Sequence, residues 1–198
     1  MNYSINDINE IKKYASENNI PIMQDEGIEF LTNFIIKKQC KNILEIGTAI
    51  GYSAIMMCLT SADVHVTTIE RDEVRYMEAL KNIKKLNLED RITLIFNDAL
   101  NVKLEDEFDL IFIDAAKGKN QDFFLRFESN LAKEGYIITD NMYFHGYVEM
   151  DENELPSKNI AGIVRKIKEY TYFLENHMLY KTTIYKVGDG VAVTERRS

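Results

Sequence analysis

Apolar residues recur every three or four positions from Ile5 to Tyr14 and again from Ile28 to Ile36, the spacing of one buried face on an α-helix. Pro21 lies between the two stretches and forbids one continuous helix, so two N-terminal helices are expected. From Lys41 the period changes. Short apolar runs, Asn42 to Ile46, Val64 to Ile69, Ile92 to Phe96, Leu110 to Ile113 and Tyr136 to Thr139, alternate with helix-like Ser53 to Leu59, Glu73 to Leu86 and Gln121 to Leu131. Strands separated by helices make βαβ crossovers, which put helices on both faces of a parallel sheet. Beyond the polar stretch Asp151 to Lys158, helical spacing returns from Ile160 to Leu174. The chain closes with two β-rich runs, Tyr180 to Val187 and Val191 to Thr194, joined by Gly188-Asp189-Gly190. Asp-Gly between β-rich runs signals a hairpin, because glycine accepts the positive φ of the turn. The pattern therefore predicts a doubly wound α/β fold whose mostly parallel, seven-stranded sheet ends in an antiparallel hairpin.

At 198 residues and 45% hydrophobic content the chain can bury one substantial core. With no repeat, low-complexity tract or linker, a single domain over 1–198 is expected, residues 1–40 forming the N-terminal helices and 41–198 the catalytic core. Cys40 and Cys58 sit in apolar surroundings without CxxC spacing, which reads as two reduced, buried thiols. No run approaches the roughly 20 apolar residues that cross a bilayer, and Met1 to Asp7 lacks a basic-then-apolar signal. A cytoplasmic protein that does not engage membranes is the expectation. The formal charge of -8 excludes a surface that is basic throughout and leaves room for a local basic patch.

In an open α/β sheet, ligands bind beyond the carboxyl ends of the strands. The first strand runs into Glu45-Ile46-Gly47-Thr48-Ala49-Ile50-Gly51-Tyr52-Ser53, making Gly47 and Gly51 candidate cofactor contacts. Their GxxxG spacing is not the GxGxxG of a dinucleotide fold, so a nicotinamide oxidoreductase is the weaker reading. Glu70 ends the second strand, where a carboxylate can accept both ribose hydroxyl protons, and Asp98-Ala99 follows the third, where it could take an adenine amine. Each feature also has a plain interpretation as turn chemistry or a solvated carboxylate; their recurrence at successive strand ends favours a ligand.

The fourth strand ends at Asp114 and the fifth at Asp140-Asn141, which together offer only hard oxygen donors. Such a set suits Mg²⁺ and accepts Mn²⁺ or Ca²⁺. The competing interpretation is that strand-terminal Asp and Asn merely cap the next turn. Lys117, one turn beyond Asp114, reads by itself as a solvated amine.

Ile43 to Ser53, Ile113-Asp114-Ala115-Ala116-Lys117-Gly118 and Ile138-Thr139-Asp140-Asn141 together resemble the metal-dependent O-methyltransferases related to catechol and caffeoyl-CoA methyltransferases. Within that family, Pro21-Ile22-Met23, Asn141 to Gly146 and Val187 to Val193 are most similar to the bacterial tRNA 5-hydroxyuridine methyltransferases, which form 5-methoxyuridine at the wobble position. The resemblance implies a Rossmann-like S-adenosylmethionine methyltransferase fold and a homodimer. It implies that Gly47, Ser53 and the backbone near Met23 hold the methionine end, with Glu45 in the same cofactor-binding set, Glu70 on the ribose and Asp98 and Ala99 on the adenine. Asp114 would bind the metal and face the methionine amino group, Asp140 and Asn141 would complete the metal ligands, and Lys117 with Asp114 would form the catalytic pair.

Methyl transfer from a sulfonium to oxygen needs a nearly deprotonated acceptor hydroxyl, which a metal would stabilise and Lys117, its pKa depressed by the cation, would deprotonate. His145 could bind phosphate or stand in an ordinary surface role. For a tRNA acceptor, Lys117, Lys119, Lys158, Arg165, Lys166, Lys168, Arg196 and Arg197 are candidate phosphate contacts. The alternatives are a small catechol-like acceptor chelating the metal, flanked by Tyr143, Phe144 and Tyr147, and a non-catalytic S-adenosylmethionine-binding protein.

Overall fold

The strands form one sheet in the computed structural model, which describes residues 5–197; Met1 to Ser4, on which the missing-signal expectation partly rests, lie outside those residues. Strands β1 (Asn42–Ile46), β2 (His65–Glu70), β3 (Ile92–Phe96), β4 (Phe108–Ile113) and β5 (Leu131–Thr139) are parallel. Strands β6 (Tyr180–Tyr185) and β7 (Val191–Arg196) join as an antiparallel hairpin, giving the order β3-β2-β1-β4-β5-β7-β6. The fold is the α/β Rossmann-like one expected. Because the strand order turns back between β1 and β4, their carboxyl ends diverge there and open a crevice.

Helices α1 (Ile5–Glu17), α2 (Asp25–Lys38), α3 (Tyr52–Cys58) and α4 (Glu73–Lys85) cover one face, and α5 (Asn120–Phe127) and α6 (Lys158–Glu175) the other. Side chains alternate across a strand. Thus Ile43 joins Leu31, Ile35 and Ile55 on the first face, while Leu44 and Ile46 join Phe124, Phe127 and Tyr170 on the second. The buried residues of α6, Val164, Ile167, Tyr170 and Leu174, recur at helical spacing, and Ser157 caps its first turn by accepting the Ile160 N–H at 3.2 Å. Each fully buried aliphatic side chain contributes on the order of 1.5–3 kcal/mol, so these two clusters supply the bulk of the driving force. No helix among the described residues is long and apolar enough to cross a membrane.

Two departures from the sequence pattern have local causes. The helix expected to reach Leu131 stops at Phe127, passes through a 3-10 turn at Glu128–Asn130, and gives way to a β5 that starts at Leu131 rather than Tyr136. That early half carries exposed Lys133 and Glu134 and a register irregularity opposite Phe108 and Leu110, so it lacks the apolar signature of a buried strand. Gly135 fits the close strand approach there, since a Cβ would fall 3.0 Å from the Phe108 carbonyl oxygen and 2.8 Å from Leu131 Cδ1, so that both neighbours would have to shift. In the hairpin, β6 ends at Tyr185 instead of Val187, leaving residues 186–190 as a longer connection in which Gly188 and Gly190 take positive φ.

Candidate functional site

Four residues at this sheet edge stand one step beyond a strand, where the N–H of each extends the ladder to the neighbouring strand. Gly47 N–H donates to Ile69 (3.1 Å), Asn97 N–H to Glu70 (3.0 Å), Asp114 N–H to Ile46 (3.0 Å) and Asp140 N–H to Ile113 (3.2 Å). These bonds hold four successive loops at one level, and between them lies a cleft of about 450 Å³. Met23, Gly47, Ser53, Glu70, Asp98, Ala99, Asp114, Lys117, Asp140 and Asn141 all line it. Gly47 lies where β1 and β4 part, at φ 100°, and a Cβ on it would sit 2.3 Å from the Asp114 carbonyl oxygen. Only glycine permits that approach.

Of the expected set, Gly51 and Glu45 stay out of the cleft: Gly51 turns at φ 86° into α3 against Ala79 of α4. Glu45 is completely buried, so a direct cofactor contact is corrected to a supporting one. Its carboxylate accepts the Ser53 and Thr68 hydroxyls, and because Thr68 spends its only proton there, Thr48 must be the donor in the 2.6 Å Thr48–Thr68 bond. Glu45 thereby anchors two hydroxyls of the cleft wall, Thr48 and Ser53, from below. Burial pushes its carboxyl up to about 7, against the stabilising effect of the two hydroxyl donors and with help from the charges of Asp114 and Glu70.

Glu70 lines the opposite wall with only 7% exposure. Its carboxylate already accepts N–H groups from Ala49 (2.8 Å), Arg71 (2.8 Å) and Asp72 (2.9 Å). A carboxylate has about four acceptor positions, so roughly one remains. The expectation that it takes both hydroxyls of a ribose narrows to one strong bond. Asp98 caps the 3-10 turn Ala99–Asn101 by accepting the Leu100 N–H at 3.0 Å, and its other oxygen meets Arg71 at 3.4 Å.

At the β4–β5 end, Lys117 donates to Asp114 at 2.6 Å, both side chains about four-fifths shielded. Asp140 is buried, and desolvation followed by the Asp114 charge pushes its carboxyl well above the usual carboxylate range, with Lys117 opposing. Two carboxylates held together with so little water favour any cation that can enter. Asn141 sits in the left-handed region at φ 60°, a conformation asparagine tolerates, and its Nδ2 donates to Asp189 at 3.1 Å. Among the described residues no group of three or more His, Cys, Asp or Glu side chains gathers as a metal site. The donor set is two carboxylates plus an amide oxygen, and its hard-oxygen chemistry fits a divalent cation of the magnesium type. Phe144 and His145, both with positive φ, complete the rim, their rings 5.5 Å apart. Tyr143 faces elsewhere: its ring packs where a Cβ on Gly190 would stand 2.5 Å away.

Several residues of the site carry no signal in the sequence pattern. Arg71, just after β2, and Arg75, in the first turn of α4, line the cleft and look like ordinary surface cations. Asp189 is 7% exposed although it lies in a turn, and it accepts from Asn141 and from the His145 N–H (2.6 Å). A Gly-Asp-Gly turn alone suggests only hairpin chemistry. Only the folded chain shows what the aspartate reaches.

The chain matches the O-methyltransferase family over residues 3–197. A grapevine (Vitis vinifera) flavonoid 3',5'-methyltransferase is 28% identical over 194 residues, covering 93% of this chain and 81% of the relative. Among solved structures, a Staphylococcus aureus protein provisionally described as a caffeoyl-CoA O-methyltransferase is 35% identical with a TM-score of 0.91, covering 98% of this chain and 93% of that one. A Bacillus cereus O-methyltransferase in complex with SAH is 26% identical with a TM-score of 0.83, covering 100% and 93%.

Proposed function

Because this chain belongs to the O-methyltransferase family and is an S-adenosylmethionine-dependent O-methyltransferase, we propose that it methylates a ring hydroxyl activated by a divalent cation at Asp114, Asp140 and Asn141. The supporting observation is that these three side chains and Lys117 share one end of a cleft whose other end is walled by Glu70, Asp98 and Ala99. When bound, S-adenosylmethionine supplies a methyl group on a sulfonium, and Mg²⁺, with Mn²⁺ or Ca²⁺ as substitutes, supplies a Lewis acid that eases deprotonation of the hydroxyl.

The chain's own residues do the rest. Glu70, Asp98 and Ala99 hold the nucleoside; Met23, Gly47 and the Glu45-anchored Ser53 enclose the methionine end; Asp114 faces both halves of the cleft. Lys117, as the neutral amine after losing a proton to solvent, would accept the one leaving the acceptor hydroxyl; its Nζ stands 2.6 Å from Asp114 Oδ1. Phe144 and His145 bring two rings to the rim, apolar surface that suits a flat acceptor. Displacement at the methyl carbon is in line, so holding the acceptor ring against this wall is itself catalytic.

The acceptor we favour is a small hydroxylated aromatic. The grapevine relative, named for methylation of a flavonoid, supports that choice. A second reading, 5-hydroxyuridine at the tRNA wobble position, draws on Arg71 and Arg75 in the cleft wall and on Arg165 and Lys168 in a neighbouring depression of α6, the helix that packs on the turn carrying Lys117. We also read the chain as a homodimer, which sedimentation equilibrium tests. Methyl-tritiated S-adenosylmethionine offered with a catechol-bearing flavonoid and hydroxyuridine-containing tRNA together separates the acceptors. Label in the flavonoid alone supports the favoured reading, label in the tRNA alone selects the second, and label in neither refutes both.

A further inference from the structure

Asp189 occupies the turn between β6 and β7, far in sequence from the β5 loop, yet it is buried and its side chain is wholly committed to that loop. Oδ2 accepts from Asn141 Nδ2 at 3.1 Å, and Oδ1 accepts the His145 N–H at 2.6 Å. The Asp189 carbonyl accepts the Tyr143 N–H at 2.8 Å, and the Gly190 carbonyl the Met142 N–H at 2.9 Å. The segment these bonds hold is unfavourable by itself: Asn141, Phe144 and His145 all take positive φ, which costs most at Phe144.

An amide is ambiguous, because its oxygen and nitrogen branches have nearly the same shape and opposite roles. An ionised carboxylate is not ambiguous, since it only accepts. Facing Asp189, Asn141 must therefore present nitrogen, and its oxygen is left on the other branch for the cleft that Asn141 lines. We infer that Asp189 is a positioning residue that fixes the Asn141 amide with its oxygen toward the cation site. This rests on the divalent-cation reading of Asp114, Asp140 and Asn141. Partners of metal ligands commonly change metal affinity by 10–100-fold when removed.

Asp189→Asn tests the role sharply. Its amide oxygen can still accept the His145 N–H, while its NH₂ faces the Asn141 NH₂, so the Asn141 amide must turn over and present nitrogen to the cation site. The probe is Mn²⁺ alone, its free fraction read by electron paramagnetic resonance, alongside SAH binding by calorimetry. The expected result is a Mn²⁺ affinity about tenfold or more below wild type with SAH affinity within about twofold. Asp189→Glu keeps the charge, displaces the carboxylate by one methylene, and weakens Mn²⁺ binding, which a purely electrostatic role would not allow; it also serves if Asp189→Asn does not fold. Wild-type Mn²⁺ affinity in either variant overturns the inference while leaving the cation reading intact. A wild-type protein that binds no Mn²⁺ overturns both.

Discussion

Replacing Glu45 with glutamine isolates the titration of one buried carboxyl that holds the cofactor end of the cleft. In the folded protein the Glu45 carboxyl sits at about 7, against an ordinary value of 4.5, chiefly because burial penalises its charged form. A raised folded value means that the stability linked to this proton is fully present below pH 4.5 and is lost as pH rises toward 7, after which it changes no further. At about 1.4 kcal/mol per pH unit, that interval corresponds to about 3 kcal/mol. Glutamine keeps the shape of the neutral acid, and the Ser53 and Thr68 hydroxyls can reorient to suit its amide. Urea unfolding of both proteins at half-unit steps from pH 4 to pH 8.5 should show the difference, wild type minus Glu45→Gln, falling by about 3 kcal/mol between pH 4.5 and 7 and then levelling. Carboxyls that do not interact with Glu45 cancel in the difference, leaving burial as the largest contribution and the Asp114 and Glu70 charges as smaller ones. Two parallel curves would refute the burial argument, and a difference that grows with pH would show that the carboxyl is held below its ordinary value.

Other substitutions probe separate links. Gly47→Ala pushes a methyl group to 2.3 Å from the Asp114 carbonyl oxygen at a φ alanine resists, and should cost about 3 kcal/mol in chemical denaturation and weaken SAH binding in calorimetry. Tyr170→Phe leaves the buried Thr139 hydroxyl without the Tyr170 partner now 2.9 Å away, just before Asp140, and should cost about 1–3 kcal/mol by the same measurement. Lys117→Met should lower kcat about 100-fold or more with SAH affinity nearly unchanged; an unchanged kcat would remove Lys117 from proton transfer. Cys40, buried and pushed up to about 11 by desolvation and then by the Asp109 charge, and Cys58, also buried and raised, should both resist an aromatic disulfide reagent until the protein unfolds, as a thiol titration with and without denaturant will show.

The parallel sheet is legible in the sequence because strands buried on both faces must be continuously apolar, as in Ile43-Leu44, Leu110 to Ile113 and Ile137-Ile138. The site is legible for a related reason: polar residues directly after such runs, Glu70, Asp114, Asp140 and Asn141, land at one sheet edge whatever the details of packing. Where the pattern fails, one-dimensional reasoning lacks the relevant contact. The first half of β5 is hidden by exposed Lys133 and Glu134 and by an irregular register that only pairing with β4 creates. Glu45 shares its motif with Gly47 yet points beneath the cleft, because strand alternation puts it on the side of Ile43 and Thr68. Glu70 is mostly spent on backbone N–H groups that no spacing rule counts, and Asp189 is joined to Asn141 across 48 residues.

The central claim is that Asp114, Asp140 and Asn141 hold a cation that activates the acceptor hydroxyl, and its most direct test is transfer of tritiated methyl to the identified acceptor as Mg²⁺ is removed and restored, in wild type and in Asp140→Ala. The account predicts that chelation takes wild-type turnover to background and that Mg²⁺ restores it, while Asp140→Ala stays inactive at every Mg²⁺ concentration and still binds SAH. Wild-type turnover that continues undiminished in metal-free buffer would contradict it.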